Sequence, residues 1–567
     1  MKPTYAFESM KYGFFVHYIA PLAVYKDGSS PKTLDEAADG FDVPGFADAI
    51  EAMGVEYLIF TAWHYRAIPL YPSRVTEAWR PGCSVKRDLV GEVIDAVRSR
   101  GISVFLYTHP RDGHDFIGEE RVACGWGEGD WEGHADTPNP ETFDYARWNQ
   151  YTQALYEELM ERYGDRIDGI YTDSMGPGRF TFEYHYSAAY EHPIVDYLAL
   201  RGIIKRANPD IALIQNGFGW LFSNDFTMPE GFFGFEVNHP VELWPACEKS
   251  LAMTPFSQWA ASGHYGENVS RCSAEDLARF TLFEASCTTA GGVCWASGPY
   301  CGGGWDVGVM ETMTELKCIL HRIGEGLKNV VPSTSWPTIS GDTLKSRGYV
   351  FECSSHDRVY EYIHIMRMPG DGVIKLPVPQ DGALLSHPRV LTPGVVLSDF
   401  VQDESGVRFS LTGTFDPVDT VVRLRRTNNL NAPKWTWYND SDKRFRYTPN
   451  DWTYECFGGE PGSPDQRVKT LGCFEYDARR AVRDGARVDG WFEGSVVEVY
   501  GTLDPEGGVA DILIDDMRVA TIDTRSPQRK TRVLHYVSPD LYGGCHTLSI
   551  VSRGQGGFEF DAIRVRE

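Results

Sequence analysis

Through about residue 330, short runs of apolar residues take turns with longer stretches in which apolar positions recur every three or four residues. The first pattern is that of buried parallel strands, and the second that of helices lying on them. The runs are GFFVHY (13–18), YLIFTA (57–62), ISVFLYT (102–108), IDGIYTD (167–173), IALIQN (211–216), FFGFEVN (232–238), FSQWAAS (256–262) and GGVCWAS (291–297). Between them, VPGFADAIEAMG carries Pro44 near its first turn and stops at Gly54, and RDLVGEVIDAVRSRG ends at Gly101. AEDLARFTLFEAS repeats its apolar residues at helical spacing. Eight such repeats predict an α/β fold, a (β/α)8 TIM-like barrel with long loops at one mouth.

After VMETMTELKCILHRIGEGL the period changes from helical to alternating, with Val330-Val331-Pro332 as the link. YVFEC, RVYEYIHIM, GVIKLP, VRFSL and VVRLRR, separated by Gly, Pro and Asp turns, predict an antiparallel β-sandwich over 331–430. A polar break, TNNLNAP (427–433), precedes Trp435, Trp437, Tyr438 and Trp452, and then SVVEVYG, VADILIDDMRVATIDT, HTLSIVSRG and FDAIRVR. Asp515-Asp516 sits where a hairpin turn is needed. A second sandwich is expected over 431–567, a candidate carbohydrate-binding domain behind a catalytic barrel at 1–330.

Composition narrows the partners. A formal net charge of -25 argues against nucleic acid or an anionic membrane, both of which need basic surface. The 15 tryptophans suit the C–H faces of sugars, although most such rings build cores. The opening MKPTYAFESMKYGFF has no charged segment followed by a long apolar one, and no run approaches membrane-spanning length. Twelve scattered cysteines without a CxxC pair are expected to be reduced thiols, so a cytoplasmic location is expected; a leader trimmed from the chain would instead mean secretion. Homo-oligomerisation is left open.

Polar residues close successive strands: His17 the first, His64 just past the second, Tyr107 and His109 the third, Asp173 the fourth, Asn216 the fifth and Glu236 the sixth. Strand ends of a barrel share one cup, where catalysis is done. Glycoside cleavage needs two carboxyls there, one to attack the anomeric carbon or activate water and one to protonate the leaving oxygen. Neither a metal nor a cofactor is expected. His64-Tyr65 is not HExxH, Cys and His do not recur at ligand spacing, and no glycine-rich phosphate loop opens a helix. Cys301-Gly302-Gly303-Gly304-Trp305 reads as a mobile loop near the pocket.

KYGFFVHY (11–18), VEYLIFTAWHYRAIPLYPSR (55–74), RDLVGEVIDAVRSRGISVFLYTHPRD, ERYGDRIDGIYTDS and TAGGVCWASGPYCGGGWD with IGEGLKN follow one another in an order that resembles the alpha-L-fucosidase family of glycoside hydrolases, over about residues 8–335. The resemblance implies a retaining, exo-acting enzyme that removes a terminal fucose or related L-sugar from a glycan. It implies Asp173 as nucleophile and His17, His64 and Tyr107 as sugar contacts; His17, His64, Tyr65, Tyr107 and Asn216 are expected to hold the hydroxyls, with Tyr171 and Trp295 as apolar walls. Tyr65 stands where the family has a second histidine, Thr108 where it has a second tyrosine, and Tyr171 where a tryptophan often lies. These substitutions point to a sugar other than fucose, or to fucose in an unusual linkage. Glu236 is the first choice for acid/base, because its apolar neighbours would raise its pKa. Glu242, beside Trp244, is second; Glu230 and Glu267 are in reserve. The alternative is a catalytically inactive carbohydrate-binding protein on the same scaffold.

Overall fold

The computed structural model describes residues 7, 9–131, 134–173, 194–216, 225–228, 230–231, 250–252, 256, 260–261, 267–287, 291–328, 330–337, 344, 346–427, 435–440, 442–456, 477–539, 541, 544–554 and 557–566. Its N-terminal part is built on nine strands: β1 (Tyr12–Val16), β2 (Tyr57–Thr61), β3 (Ser103–Thr108), β4 (Gly169–Thr172), β5 (Ala212–Gln215), β6 (Phe226–Thr227), β7 (Glu230–Gly231), β8 (Ser250–Ala252) and β9 (Val293–Ala296). They lie in the order β6-β5-β4-β3-β2-β1-β9-β8-β7, and every pairing is parallel. Helices α1 (Val43–Met53), α2 (Leu89–Arg98), α3 (Tyr145–Tyr163), α4 (Tyr197–Ala207), α5 (Ala274–Cys287) and α6 (Val309–Ile323) connect or follow the strands. The result is an α/β fold with a parallel half-barrel; a pairing that would close β6 onto β7 does not occur among the described residues.

The helices begin where the sequence offers acceptors. Asp42, Asp88, Asp144 and Asp196 each accept a backbone N–H from the first turn of α1, α2, α3 and α4. Gly54 ends α1 at φ 68°, a conformation that costs a side chain dearly.

The strands are apolar on both faces, and the structure separates the two sets. Phe14, Val16, Leu58, Phe60, Val104 and Leu106 join the core under the helices. Phe15, Ile59, Phe105, Tyr107, Tyr171, Ile214 and Phe226 form an inner cluster. Each fully buried large side chain contributes about 1.5–3 kcal/mol, so a one-residue slip that exchanged the faces would be costly. Gly13 and Gly169 are part of this fit: a Cβ there would stand 2.3 Å from the Tyr57 ring and 2.2 Å from that of Phe105.

After α6 the sheets are antiparallel. Val330–Pro332, Val350–Ser355, Tyr360–Ile365, Thr420–Arg426 and Leu385–Val390 form one sheet in that order, and Val373–Leu376, Gly406–Gly413 and Val395–Asp403 form another. Trp336, Ile363, Ile374, Phe409 and Leu424 fill a common core. Two further sheets, of six and five strands, lie between Trp435 and Arg566 around Phe445, Phe492, Ile512, Ile550 and Phe560. The first antiparallel unit is packed on the α/β part through Phe283 and Phe351, 5.6 Å between ring centres, and through the Arg322–Asp416 and Arg423–Glu325 ion pairs. Among the described residues no helix is long and apolar enough to cross a membrane.

The run expected at 232–238 lies outside the described residues; Phe226–Thr227 (β6) pairs with β5. Of the strand expected at 256–262, residues 257–259 and 262 also lie outside the described residues; Ser250–Ala252 pairs with β9, and Phe256 makes an antiparallel bridge to Ser270.

Candidate active site

Strand register assembles the centre of the site. Asp173 follows β4, and its N–H donates to Thr108 O of β3 at 2.9 Å; Asn216 follows β5, and its N–H donates to Thr172 O at 2.9 Å. The ladder thus continues one residue past each strand and leaves the two side chains adjacent. Asn216 Nδ2 donates to Asp173 Oδ1 at 2.5 Å, and Tyr107 Oη donates to Oδ2 at 2.5 Å. Both carboxylate oxygens are thereby held in place by donors on the neighbouring strands.

Aromatic rings surround this carboxylate. His17 is buried with its ring centre 5.0 Å from Tyr107, 5.6 Å from His64 and 4.3 Å from Phe15. His64 lies 5.4 Å from Tyr107 and 5.1 Å from His109, the two imidazoles tilted by only 11°. Tyr171 stacks beside Tyr107 at 5.8 Å and donates from Oη to Met228 O at 3.1 Å, so it belongs to the floor of the inner cluster.

Electrostatics differ ring by ring. Burial, with His64 and His109 nearby, holds His17 well below its ordinary value, so its ring is neutral. Burial also lowers His109. For His64 burial opposes charge too, but Asp112 outweighs it, with a contribution from Asp173, and the value is raised.

Asp112, which sequence reasoning did not single out, is the hub of this cluster. It is fully buried, with Oδ2 3.3 Å from His64 Nδ1 and Oδ1 3.4 Å from His109 Nδ1. Burial opposes its charge, yet His109, His64 and His114 hold its carboxyl down at about 2. The donor atoms of His64, His109 and Asp112 lie within 4.8 Å of one another, as do those of Asp112, His114 and Asp115. Each imidazole nevertheless faces its own oxygen of one carboxylate, and the rings are nearly parallel. The signal in the sequence was the HPRDGHD spacing after β3, which the one-turn helix Asp112–Asp115 folds back under His109.

Tyr65 opens an unusual turn. Tyr65, Arg66 and Ala67 all have positive φ, at 37°, 61° and 41°, each costing an L-residue roughly 1–2 kcal/mol. The turn is clamped from several sides. Trp63–His64 pairs with Ile68–Pro69, Tyr65 N–H donates to His64 Nδ1 at 2.7 Å, and Arg66 Nη2 donates to Glu120 Oε1 at 2.7 Å. The buried Arg80 holds the other oxygen of Glu120 at 2.8 Å.

Of the residues expected around a sugar, the structure therefore gathers His17, His64, Tyr107, Asp173 and Asn216, with Tyr65 on the adjoining turn and Tyr171 beneath. Trp295 is a correction. Residues alternate in β9, with Cys294 and Ala296 on the inner face and Trp295 paired across from Phe14 in the helix-side core, 6.0 Å from Phe280. It packs under α5 and does not line the cup. Glu236 and Glu242 lie outside the described residues; the backbone of Glu230 forms part of β7, and Glu267 is exposed. The Cys301–Trp305 stretch is also corrected. Cys301 N–H donates to Val24 O at 2.8 Å, Gly302 N–H to Gly40 O at 2.9 Å and Tyr300 N–H to Gly304 O at 2.9 Å, so a tethered loop replaces the expected mobile one. Together with Phe41, Asp42 and Phe46 it lines a cavity of about 240 Å³, which does not include the Asp173 cluster.

Comparison with known proteins places this arrangement. The family model for "Alpha-L-fucosidase" matches residues 25–196, which include His64, Tyr107, Asp112 and Asp173. The chain is 24% identical over 191 residues to a putative alpha-L-fucosidase of Caenorhabditis elegans, matching 27% of this chain and 39% of that one. It is 26% identical over 244 residues to putative alpha-L-fucosidase 1 of rice, matching 40% and 41%. The matches thus span about two-fifths of the length of these curated relatives. In fold, it is similar to alpha-L-fucosidase isoenzyme 1 from Paenibacillus thiaminolyticus, with TM-score 0.51, 17% identity, 75% of this chain and 99% of that one. The alpha-L-fucosidase from Vibrio sp. strain EJY3 gives TM-score 0.53 at 14% identity, covering 100% and 98%.

Proposed function

We propose that this protein, whose residues 25–196 match the alpha-L-fucosidase family model, is a retaining, exo-acting glycoside hydrolase that releases a terminal fucose or related L-sugar from a glycan or glycoconjugate. The observation that carries this reading is the Asp173 carboxylate, fixed through both oxygens by Tyr107 and Asn216 at the end of β4 and ringed by His17 and His64.

In the proposed reaction one oxygen of Asp173 attacks the anomeric carbon, while a glutamic acid protonates the departing oxygen. The resulting glycosyl ester is then hydrolysed by water that the same glutamate deprotonates. Glu236 is assigned this second role, with Glu242 next; retention calls for the two carboxyls to stand about 5–5.5 Å apart. Tyr107 and Asn216 aim the nucleophile, and neutral His17 and the raised His64 meet sugar hydroxyls with directional hydrogen bonds. Tyr65, in place of the family's second histidine, is too long to contact a hydroxyl in the same way, which favours a related L-sugar or an unusual linkage over the common fucosides.

The reading extends to architecture: a closed (β/α)8 barrel over 1–330, a sandwich over 331–430, and a second one over 431–567 with a carbohydrate-binding role. The test is turnover of a panel of aryl glycosides that includes L-fucose, L-galactose, L-rhamnose and D-sugars, with the product anomer followed by NMR. Asp173→Gly is expected to abolish turnover, and azide to restore part of it. Undiminished turnover in that variant removes Asp173 from the chemistry, and sugar binding without hydrolysis of any glycoside favours an inactive carbohydrate-binding protein.

A further inference from the structure

In the last antiparallel unit, the loop that follows Trp435–Asn439 carries Arg444 against two aromatic rings. Its guanidinium carbon lies 3.3 Å from the centre of the Tyr438 ring and 4.9 Å from that of Trp491, and these two residues belong to different sheets of the unit. The loop is fixed on both sides of the arginine. Asp442 Oδ1 accepts the Arg444 backbone N–H and its Nε–H, both at 2.9 Å. Phe445 is buried, and Gly490 makes room for its ring, since a Cβ there would stand 2.5 Å away. Only 12% of the Arg444 side chain is exposed. Yet among the described residues Nη1 and Nη2 have no hydrogen-bond partner, and neither atom is sealed from solvent.

An arginine held in this way has given up its rotamer freedom before any ligand arrives. Its planar fork presents two parallel N–H donors, the geometry that a carboxylate fills with two hydrogen bonds. Trp491 beside it keeps 48% of its surface exposed, which suits the C–H face of a pyranose. The neighbouring charges leave the fork available: Lys443 and Arg446 flank it in the chain, and Asp489, on the same strand and face as Trp491, is engaged by Arg487 Nε at 2.7 Å and Ser549 Oγ at 2.5 Å.

We propose that Arg444 and Trp491 form a binding site for an acidic sugar, a uronic or sialic acid residue whose carboxylate takes both Nη donors of Arg444 while its ring lies on Trp491. This rests on the reading of 431–567 as a carbohydrate-binding domain and narrows its ligand to a carboxylate-bearing sugar, at a place that shares no residue with the Asp173 cup. With a formal net charge of -25 the chain as a whole repels an anion, so the affinity comes from these short contacts.

The test is isothermal titration of the full chain with D-glucuronate and N-acetylneuraminate, each alongside its methyl ester, with acetate, D-glucose 6-sulfate and a neutral galacto-oligosaccharide as further arms. At least one of the two acids is expected to bind, and its ester about 10-fold or more weakly. Arg444→Lys, which keeps the charge but lacks the fork, is expected to weaken binding by about 10- to 100-fold, and Trp491→Ala by about 3- to 10-fold. Should Arg444→Lys fail to fold, the Trp491→Ala titration decides in its place. Ester, acetate or sulfate bound as tightly as the acid overturns the proposal, as does unchanged binding of the acid by the folded variant. Neutral oligosaccharide bound alike by parent and Arg444→Lys, with neither acid bound, refutes this site and leaves the carbohydrate-binding reading of the domain standing; no sugar bound at all refutes both.

Discussion

His364 with Asp419 in the first antiparallel unit, and His64 with Asp112 at the mouth of the parallel sheet, are the same two side-chain types brought together in different settings. His364 Nδ1 is 2.6 Å from Asp419 Oδ2, both side chains are fully buried, Nε2 reaches Gly326 O at 3.1 Å, and the ring stacks on Phe351 at 4.7 Å. The other oxygen of Asp419 takes the Ile365 N–H at 2.9 Å. Every polar atom of that pair is spent on protein, so it joins the sandwich to the end of α6. At the mouth, the His64 side chain keeps 20% of its surface exposed, its carboxylate is shared with His109, and the nucleophile candidate lies across Tyr107. A buried ion pair identifies a functional site only when it leaves a face turned to a ligand. The Arg426–Glu361 pair, buried inside the first antiparallel unit, follows the His364 pattern.

Substitutions at the two places should separate the roles. Asp173→Asn is expected to cut kcat by about 1,000-fold or more while leaving the thermal unfolding midpoint close to that of the parent; a comparable fall in both would make Asp173 structural. His364→Ala is expected to do the reverse, costing about 3–5 kcal/mol in denaturant unfolding because Asp419 is left buried and unpaired, with kcat of the surviving folded protein unchanged.

The same pair predicts a pH signature. Burial opposes the charge on His364, but Asp419 and Cys353 outweigh it and push its value up to about 10. A folded value above the unfolded one means that the stabilisation is complete below about pH 6.5 and is lost as pH rises through about 10. Urea unfolding between pH 6 and 10.5 should show this alkaline loss in the parent and a flatter limb in His364→Gln.

Smaller effects sharpen the contrast. Tyr107→Phe removes one of the two donors on Asp173 and is expected to lower kcat by about 10- to 100-fold, with little change in unfolding free energy; an unchanged kcat would show that Asn216 alone aims the carboxylate. Trp491, 48% exposed under the Arg444 side chain, should alter stability by less than about 0.5 kcal/mol when replaced by Ala. Retention on a glycan affinity column that falls in Trp491→Ala would place sugar binding on that sandwich face.

The reading of strands and helices from periodicity succeeded where runs were flanked by clear start and stop signals, as in β1 to β5, α1 and α2, because an element with its own hydrophobic period and stop signal folds the same way in most contexts. Between β5 and β9 the expected runs at 232–238 and, for the most part, 256–262 lie outside the described residues, and the short strands β6 to β8 that the structure does show there carry too few residues for a period to be read. The position of Asp173 after a short apolar strand was likewise local information, and so were His17, Tyr107 and Asn216 at neighbouring strand ends.

What the amino-acid order fixed on its own was therefore strands β1 to β5 and β9, the residues that terminate the first five and the change to alternating texture near residue 330, since each depends on neighbours within a few positions. Tertiary structure decided the rest. It turned Trp295 to the helix side, because β9 had to match the pleat of β1; it brought Asp112 beneath two histidines, one of them 48 residues away; and it bent Tyr65–Ala67 into left-handed backbone by anchoring Arg66 on Glu120. Facing, bridging and strain are properties of surfaces that meet only after the chain has closed on itself, and no local period encodes them.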